Sequence, residues 1–127
     1  MKDNLYWYKA TIERVIDGDT FIVDEIDLGF HTSLKNQRIR LLDVDAPELR
    51  DKDEELKRLA FEAKDFVASL VEGKEIIIRS TGFDSFGRIL AHVWIDGESL
   101  SNILLEKKLA IPYFRKNYTK LLKWGED

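Results

Sequence analysis

Apolar and polar residues first alternate between positions 6 and 16. Tyr6, Tyr8, Ala10, Ile12 and Ile16 fall on one side, with Lys9, Thr11 and Glu13 on the other. A period of two marks a half-buried strand. Asp17-Gly18 then gives a two-residue hairpin signal, and Asp19 to Ile26 reads as the return strand, with Phe21, Val23 and Ile26 apolar. A loop through Gly29, His31, Thr32 and Ser33 leads to a third strand from about Gln37 to Val44. Pro47 has no N–H for a ladder and closes that strand off.

The period changes after Pro47. From about Glu54 to Glu72, Leu56, Leu59, Ala60, Ala63, Phe66, Val67 and Leu70 recur at steps of three and four, which predicts an amphipathic helix. Asp51 or Asp53 can cap its start, and Gly73 stands where a left-handed residue ends a helix. Glu75 to Arg79 and Arg88 to Ile95 return to strand patterning across the turn-rich Thr81-Gly82-Phe83-Asp84-Ser85. Ser99 to Lys108 predicts a second helix, and Asn117 to Trp124 a short third one. The order β-β-β-α-β-β-α-α lacks the βαβ rhythm of a parallel sheet. It predicts an α+β protein built on a small closed sheet of five strands.

Composition narrows this picture. A chain of 127 residues with 44% hydrophobic residues can bury one core, so a single domain over 1–127 is expected. There is no cysteine, which removes disulfides and thiolate metal sites and leaves oxygen ligands or two histidines for any metal. No run is long and apolar enough to suggest a membrane span, and Met1 to Trp7 has no apolar signal segment. The chain is therefore expected to be cytoplasmic as written, or else a processed or truncated secreted protein. The net charge of −4 argues against a non-specific nucleic-acid coat. Its distribution is uneven: Asp43 to Glu55 holds seven acids and two bases, whereas Lys107 to Lys123 holds six bases and no acid. That basic zone could steer a polyanion, or it could be a solvated helix face.

Three short segments carry the candidate chemistry: Asp17-Gly18-Asp19-Thr20, Arg40-Leu41-Leu42-Asp43-Val44-Asp45-Ala46-Pro47-Glu48, and Gly87-Arg88. They combine acids suited to a hard cation with arginines suited to an oxyanion, a set associated with phosphate chemistry. An EF-hand does not fit, because Ile22 and Leu28 occupy the positions that need Gly and Glu. Arg40 and Asp45 are five apart, so on a straight strand their side chains would start on opposite faces; a bend or bulge is needed to join them. His31 and His92 are isolated, and structural roles are expected for both. Tyr6-Trp7-Tyr8 is expected to serve barrel packing.

In this order the segments resemble the staphylococcal nuclease (thermonuclease) family. The matching strings are Val15-Ile16-Asp17-Gly18-Asp19-Thr20, Arg40 to Glu48, Glu62-Ala63 and Asp84-Ser85-Phe86-Gly87-Arg88, and the likeness runs from about Tyr8 to Tyr113. It implies an OB-fold five-stranded barrel with three helices, and calcium-dependent hydrolysis of DNA and RNA that leaves 3′-phosphate ends. By position, Asp19, Asp45 and the Ala46 carbonyl would hold calcium. Arg40 and Arg88 would bind the phosphate, and Glu48 would act on the attacking water, as base or by orienting it. Ser85 and Phe86 stand where the best-known member has Lys and Tyr, which weakens or moves a neighbouring phosphate contact. Tyr113, or Phe114 one residue on, falls near the base-stacking tyrosine, and single-stranded substrate and a monomer are expected. Two other readings stay open: a catalytically weak or inactive module of this family that binds nucleic acid or protein, and an unrelated OB-type binding domain.

Overall fold

Strand β1 (Trp7–Asp17) is the seam of the sheet, pairing antiparallel with β2 (Thr20–Gly29) on one side and with β5 (Glu75–Phe83) on the other. The computed structural model describes residues 6–112. Tyr113, Phe114 and the expected helix at 117–124 lie outside the described residues, as does the basic zone beyond Lys108. Strand β2 continues antiparallel into β3 (Thr32–Leu41), and β5 into β6 (Ile89–Ile95). The sheet closes because β3 and β6 pair in parallel through Ile39↔Ile89, Arg40↔Leu90 and Leu41↔Ala91. The result is the expected five-stranded OB-type barrel.

Three two-residue strands complete the sheets: β4 (Val44–Asp45), β7 (Glu98–Ser99) and β8 (Ile111–Pro112). Two helices lie among the described residues, α1 (Glu54–Val71) and α2 (Leu100–Glu106). Closure puts Phe21, Ile12, Ile26, Ile39, Leu41, Ile76 and Ile78 fully inside, joined by Leu100 and Leu104 from α2. Each such side chain contributes about 1.5–3 kcal/mol by leaving water. No helix among the described residues is long and apolar enough to cross a membrane.

Helix α1 begins at Asp53, whose carboxylate accepts from the N–H groups of Glu55 (2.9 Å) and Leu56 (3.2 Å). Its buried stripe is narrow and small: Ala60, Ala63, Val67 and Val71. Those alanines let the helix approach the β1–β2 turn closely. A Cβ on Gly18 would lie 2.8 Å from the Ala63 Cβ and 3.2 Å from the Ala46 Cβ, closer than ordinary contact. Glycine is therefore needed there for space.

The structure moves several boundaries. Bulges beside Ile12 shift the register of β1, so Val15 is buried and Ile16 turns toward a surface cleft, against the expectation that Ile16 faces inward. The turn after β1 is Gly18–Asp19 rather than Asp17–Gly18, since Asp17 still pairs with Thr20. Strand β3 starts at Thr32 and ends at Leu41, rather than spanning about 37–44. The expected loop before it is a two-residue turn in which Phe30 (φ 53°) and His31 (φ 60°) both take left-handed backbone, as a twisted hairpin requires. Tyr6 is exposed at 62%, so it does not pack the barrel.

Candidate active site

The cleft lies on the outside of the barrel where β3 and β6 meet, with a volume of about 550 Å³. Its three walls are the turn after β1, the segment from Leu41 to Arg50, and the loop between β5 and β6. Asp19, Arg40, Asp45, Glu48, Ser85, Phe86 and Arg88 all line it. Ala46, the eighth expected site residue among the described ones, is buried directly behind Asp45 and Asp19.

Backbone hydrogen bonds explain how two distant turns meet here. The N–H of Leu41 donates to the Asp19 carbonyl at 2.8 Å, and that of Leu42 to the Ala91 carbonyl at 2.9 Å. The chain then leaves the barrel through Asp43 in left-handed backbone (φ 73°), and β4 pairs with β8 through Val44↔Pro112 and Asp45↔Ile111. From α2, the Ser101 hydroxyl donates to the Leu42 carbonyl at 2.7 Å. This excursion supplies the bend that straight-strand geometry required. It returns Asp45 to the side of Arg40, with Arg40 Nη2 donating to Asp45 Oδ1 at 3.1 Å.

Arg40 is the centre of the buried part. Its Nη1 donates to the carbonyls of Leu41 (2.7 Å) and Val44 (2.9 Å) and lies 3.3 Å from Asp19 Oδ2. Asp19 Oδ2 also accepts the Ala46 N–H at 2.7 Å, and Oδ1 accepts the Thr20 hydroxyl at 3.0 Å. Burial pushes the Asp19 carboxyl above the ordinary range, although Arg40 and these donors pull it back. Asp45 Oδ2 is buried with no hydrogen-bond partner. Orphaned buried carboxylate oxygens are costly, and a cation is one natural partner.

The outer part is differently arranged. Glu48 is exposed, and its carboxylate accepts from Arg50 Nε at 3.1 Å. Arg88 is half-buried. Its Nε donates to Asp84 Oδ2 at 2.6 Å, while Asp84 Oδ1 accepts the N–H groups of Phe86 (2.8 Å) and Arg88 (2.9 Å). Burial pushes the Asp84 carboxyl up, but these hydrogen bonds and the Arg88 charge outweigh it and hold the group below the usual range. The Phe86 ring is 82% exposed, with the Arg88 guanidinium 5.6 Å from its centre. Ser85 is exposed beside it. The structure thus gathers Asp19, Arg40 and Asp45 into direct contact, and brings Glu48 and Arg88 to the same cleft as separate ion pairs.

Sequence reasoning passed over several residues. Asp84 sits in a quoted motif without a role, although an acid four residues before an arginine across Gly87 (φ 81°) is a legible signal. Asp17, read as a turn residue, accepts the Leu49 N–H at 3.2 Å and so anchors the chain beside Glu48; burial raises its carboxyl. Arg38 and Arg50 line the cleft and had no distinguishing pattern. His92 is half-buried with Nδ1 3.4 Å from Asp43 Oδ2, at the edge of the site. His31, expected to be structural, is exposed at a turn.

Six carboxylates and four arginines line the cleft, leaving two net negative charges. An anion would be repelled unless a divalent cation entered with it. The two buried carboxylates offer only oxygen donors, which suits a hard cation such as calcium. Among the described residues no three acidic or histidine side chains gather as a ready metal cluster. Backbone oxygen, water and substrate would have to fill the remaining positions.

Residues 38–126 match the family described as staphylococcal nuclease homologue. The chain is 32% identical over 108 residues to a thermonuclease of Staphylococcus hyicus, covering 83% of this chain and 60% of that protein. It is 31% identical over 115 residues to the endonuclease YhcR of Bacillus subtilis (strain 168), covering 84% of this chain and 9% of that protein. An uncharacterized endonuclease of Escherichia coli is 33% identical over 112 residues, covering 87% and 65% respectively. With this barrel, this cleft and these matches, the chain belongs to the staphylococcal nuclease homologue family. It spans less than two thirds of the length of these relatives.

Proposed function

We propose that this chain is a calcium-dependent phosphodiesterase that cleaves DNA and RNA to 3′-phosphate ends. The observation that carries this reading is the orphaned Asp45 Oδ2, buried beside Asp19 in a cleft that also holds Arg40 and Arg88. Relatives named thermonuclease and endonuclease support the reaction class.

In this reading Asp19, Asp45 and the Ala46 carbonyl hold the ion, and bound calcium supplies positive charge beside the phosphate. Arg40 and Arg88 donate to the non-bridging phosphate oxygens and follow the charge that builds on them in the five-coordinate transition state. Glu48 turns from Arg50 to a water molecule and accepts its proton as the water oxygen attacks phosphorus. The bond from phosphorus to the 5′ oxygen breaks and that oxygen takes a proton from solvent water, leaving a 3′-phosphate and a 5′-hydroxyl. Ser85 carries no charge and Phe86 no hydroxyl, so the neighbouring phosphate is held less tightly than the scissile one. The exposed Phe86 ring offers a stacking face that suits single-stranded substrate. Tyr113 would add a second.

Incubating labelled single-stranded DNA and RNA with calcium, then analysing the product ends, tests this reading. The expected products carry 3′-phosphate, with Glu48→Gln and Arg88→Ala each losing at least a hundredfold in rate. Full activity in Arg88→Ala would contradict the assignment. Tight binding without cleavage by folded protein would instead favour the inactive-module reading, to which the acidic net charge gives some support.

A further inference from the structure

The cleft contains four arginines, and three of them have a carboxylate partner in the structure. Arg40 is held by Asp19, Asp45 and two carbonyls, Arg88 by Asp84, and Arg50 by Glu48. Arg38 differs. Its side chain is exposed, lines the same cleft, and makes no hydrogen bond or ion pair with any described residue. A long cation lining a net-negative cleft, yet paired with none of its carboxylates, is available to a ligand.

Its position is set by strand geometry. Arg38 and Arg40 are two apart on β3 and share a face, which separates their Cα atoms by about 6.6 Å. Continuing the parallel register Ile39↔Ile89 one residue back sets Arg38 beside Arg88 across the β3–β6 pair. A phosphate held by Arg40 and Arg88 would therefore have Arg38 one side-chain step away along the strand. That separation suits the next phosphate of an extended strand rather than a third contact to the same one. Resting on the nuclease reading above, we infer that Arg38 binds the phosphate flanking the scissile one and makes the site selective for oligonucleotides over single phosphodiesters. This supplies at the cleft the flanking cation that Ser85 does not.

The test compares the full chain with Arg38→Gln on two substrates in calcium: a single-stranded octanucleotide, and a nitrophenyl phosphodiester of thymidine that has one phosphodiester only. Arg38→Gln is expected to raise KM for the octanucleotide roughly tenfold at low salt with kcat unchanged, and to leave the thymidine diester unaffected. Binding of the labelled octanucleotide is measured in a Glu48→Gln background, where cleavage is slowed at least a hundredfold. There the slope of log affinity against log salt should fall by about 0.7, the value for one phosphate contact on a single strand. Arg38→Lys should recover most of the slope. Arg14→Gln, which removes an exposed charge outside the cleft, should not change it. An equal loss on both substrates, an unchanged KM, or the same slope change in Arg14→Gln would overturn the inference while leaving the nuclease reading intact. Failure of the unmodified chain to bind or cut either substrate would remove both.

Discussion

Arg40 and Arg88 share a proposed role on the phosphate, yet they should part company when stability is measured. Arg40 is 8% exposed, and its guanidinium meets two carbonyls and the carboxylates of Asp19 and Asp45. Arg40→Ala leaves both carboxylates buried without their counter-charge. Breaking a buried pair in this way costs about 3–5 kcal/mol. With a urea m-value of about 1.5 kcal/mol/M for a chain of this size, the unfolding midpoint should drop by roughly 2–3 M. Arg40→Lys should fall between, because one ammonium nitrogen has three protons for four acceptors spread over two guanidinium nitrogens. Arg88 is half-buried, and its pair with Asp84 lies near water, so Arg88→Ala should cost no more than about 1 kcal/mol and move the midpoint by less than about 0.7 M. Chemical denaturation followed by tryptophan fluorescence, in chelator so that no ion intervenes, reads both values. Equal midpoints for Arg40→Ala and Arg88→Ala would refute the view that Arg40 is the counter-charge of the buried acids.

Gly18→Ala should lower stability by about 1–3 kcal/mol, because the new methyl meets Ala63 at 2.8 Å and Ala46 at 3.2 Å. A thermal melt should show a drop of about 4–12 °C, and an unchanged melt would mean that the helix does not press on this turn. Calcium should raise the melting temperature of the native chain, by the equivalent of about 2.7 kcal/mol at a hundred times its Kd, and should leave Asp45→Asn unmoved. Equal shifts in both would place the ion elsewhere. Asp84 has its carboxyl held below the ordinary value near 4, so its contribution to stability is present above that pH and disappears as pH falls through the lower folded value. Asp84→Asn keeps an oxygen for the two backbone N–H groups but loses the charge, so it should flatten the acid limb of stability against pH. An acid limb identical to that of the native chain would contradict this.

Much of the barrel was legible because its strands alternate. Phe21 and Val23, and later Ile89, Ala91, Val93 and Ile95, point inward as their period demands, while Ile26 is brought inward by the register shift past Asp24. Helix α1 kept its expected limits to within one residue, since both its cap and its terminal glycine are written in the chain. What escaped were features without a local signature. The bulges beside Ile12 exchange Ile16 for Val15, and both are apolar. Phe30 and His31 form a tight turn although Phe30 does not advertise left-handed backbone. At the site, residue types announced which acids and arginines matter, but the grouping came from tertiary structure. The bend at Asp43, the short β4–β8 pairing and the Ser101 hydrogen bond return Asp45 to Arg40. Sequence spacing also could not reveal that Glu48 rests on Arg50, and Arg88 on Asp84.

These ion pairs change the sense of the charged motifs. Asp19, Arg40 and Asp45 form one buried unit. Glu48 and Arg88 are held nearby by partners that a phosphate or a water could displace. On the proposed function, the net negative charge of the cleft makes the cation the decisive component. The most direct measurement follows cleavage of single-stranded DNA by the folded chain in calcium, in chelator, and by Asp45→Asn in calcium. Rapid cleavage in the first condition alone is expected. Cleavage that persists in chelator, or that Asp45→Asn carries out at the native rate, would contradict a calcium site built on Asp19 and Asp45.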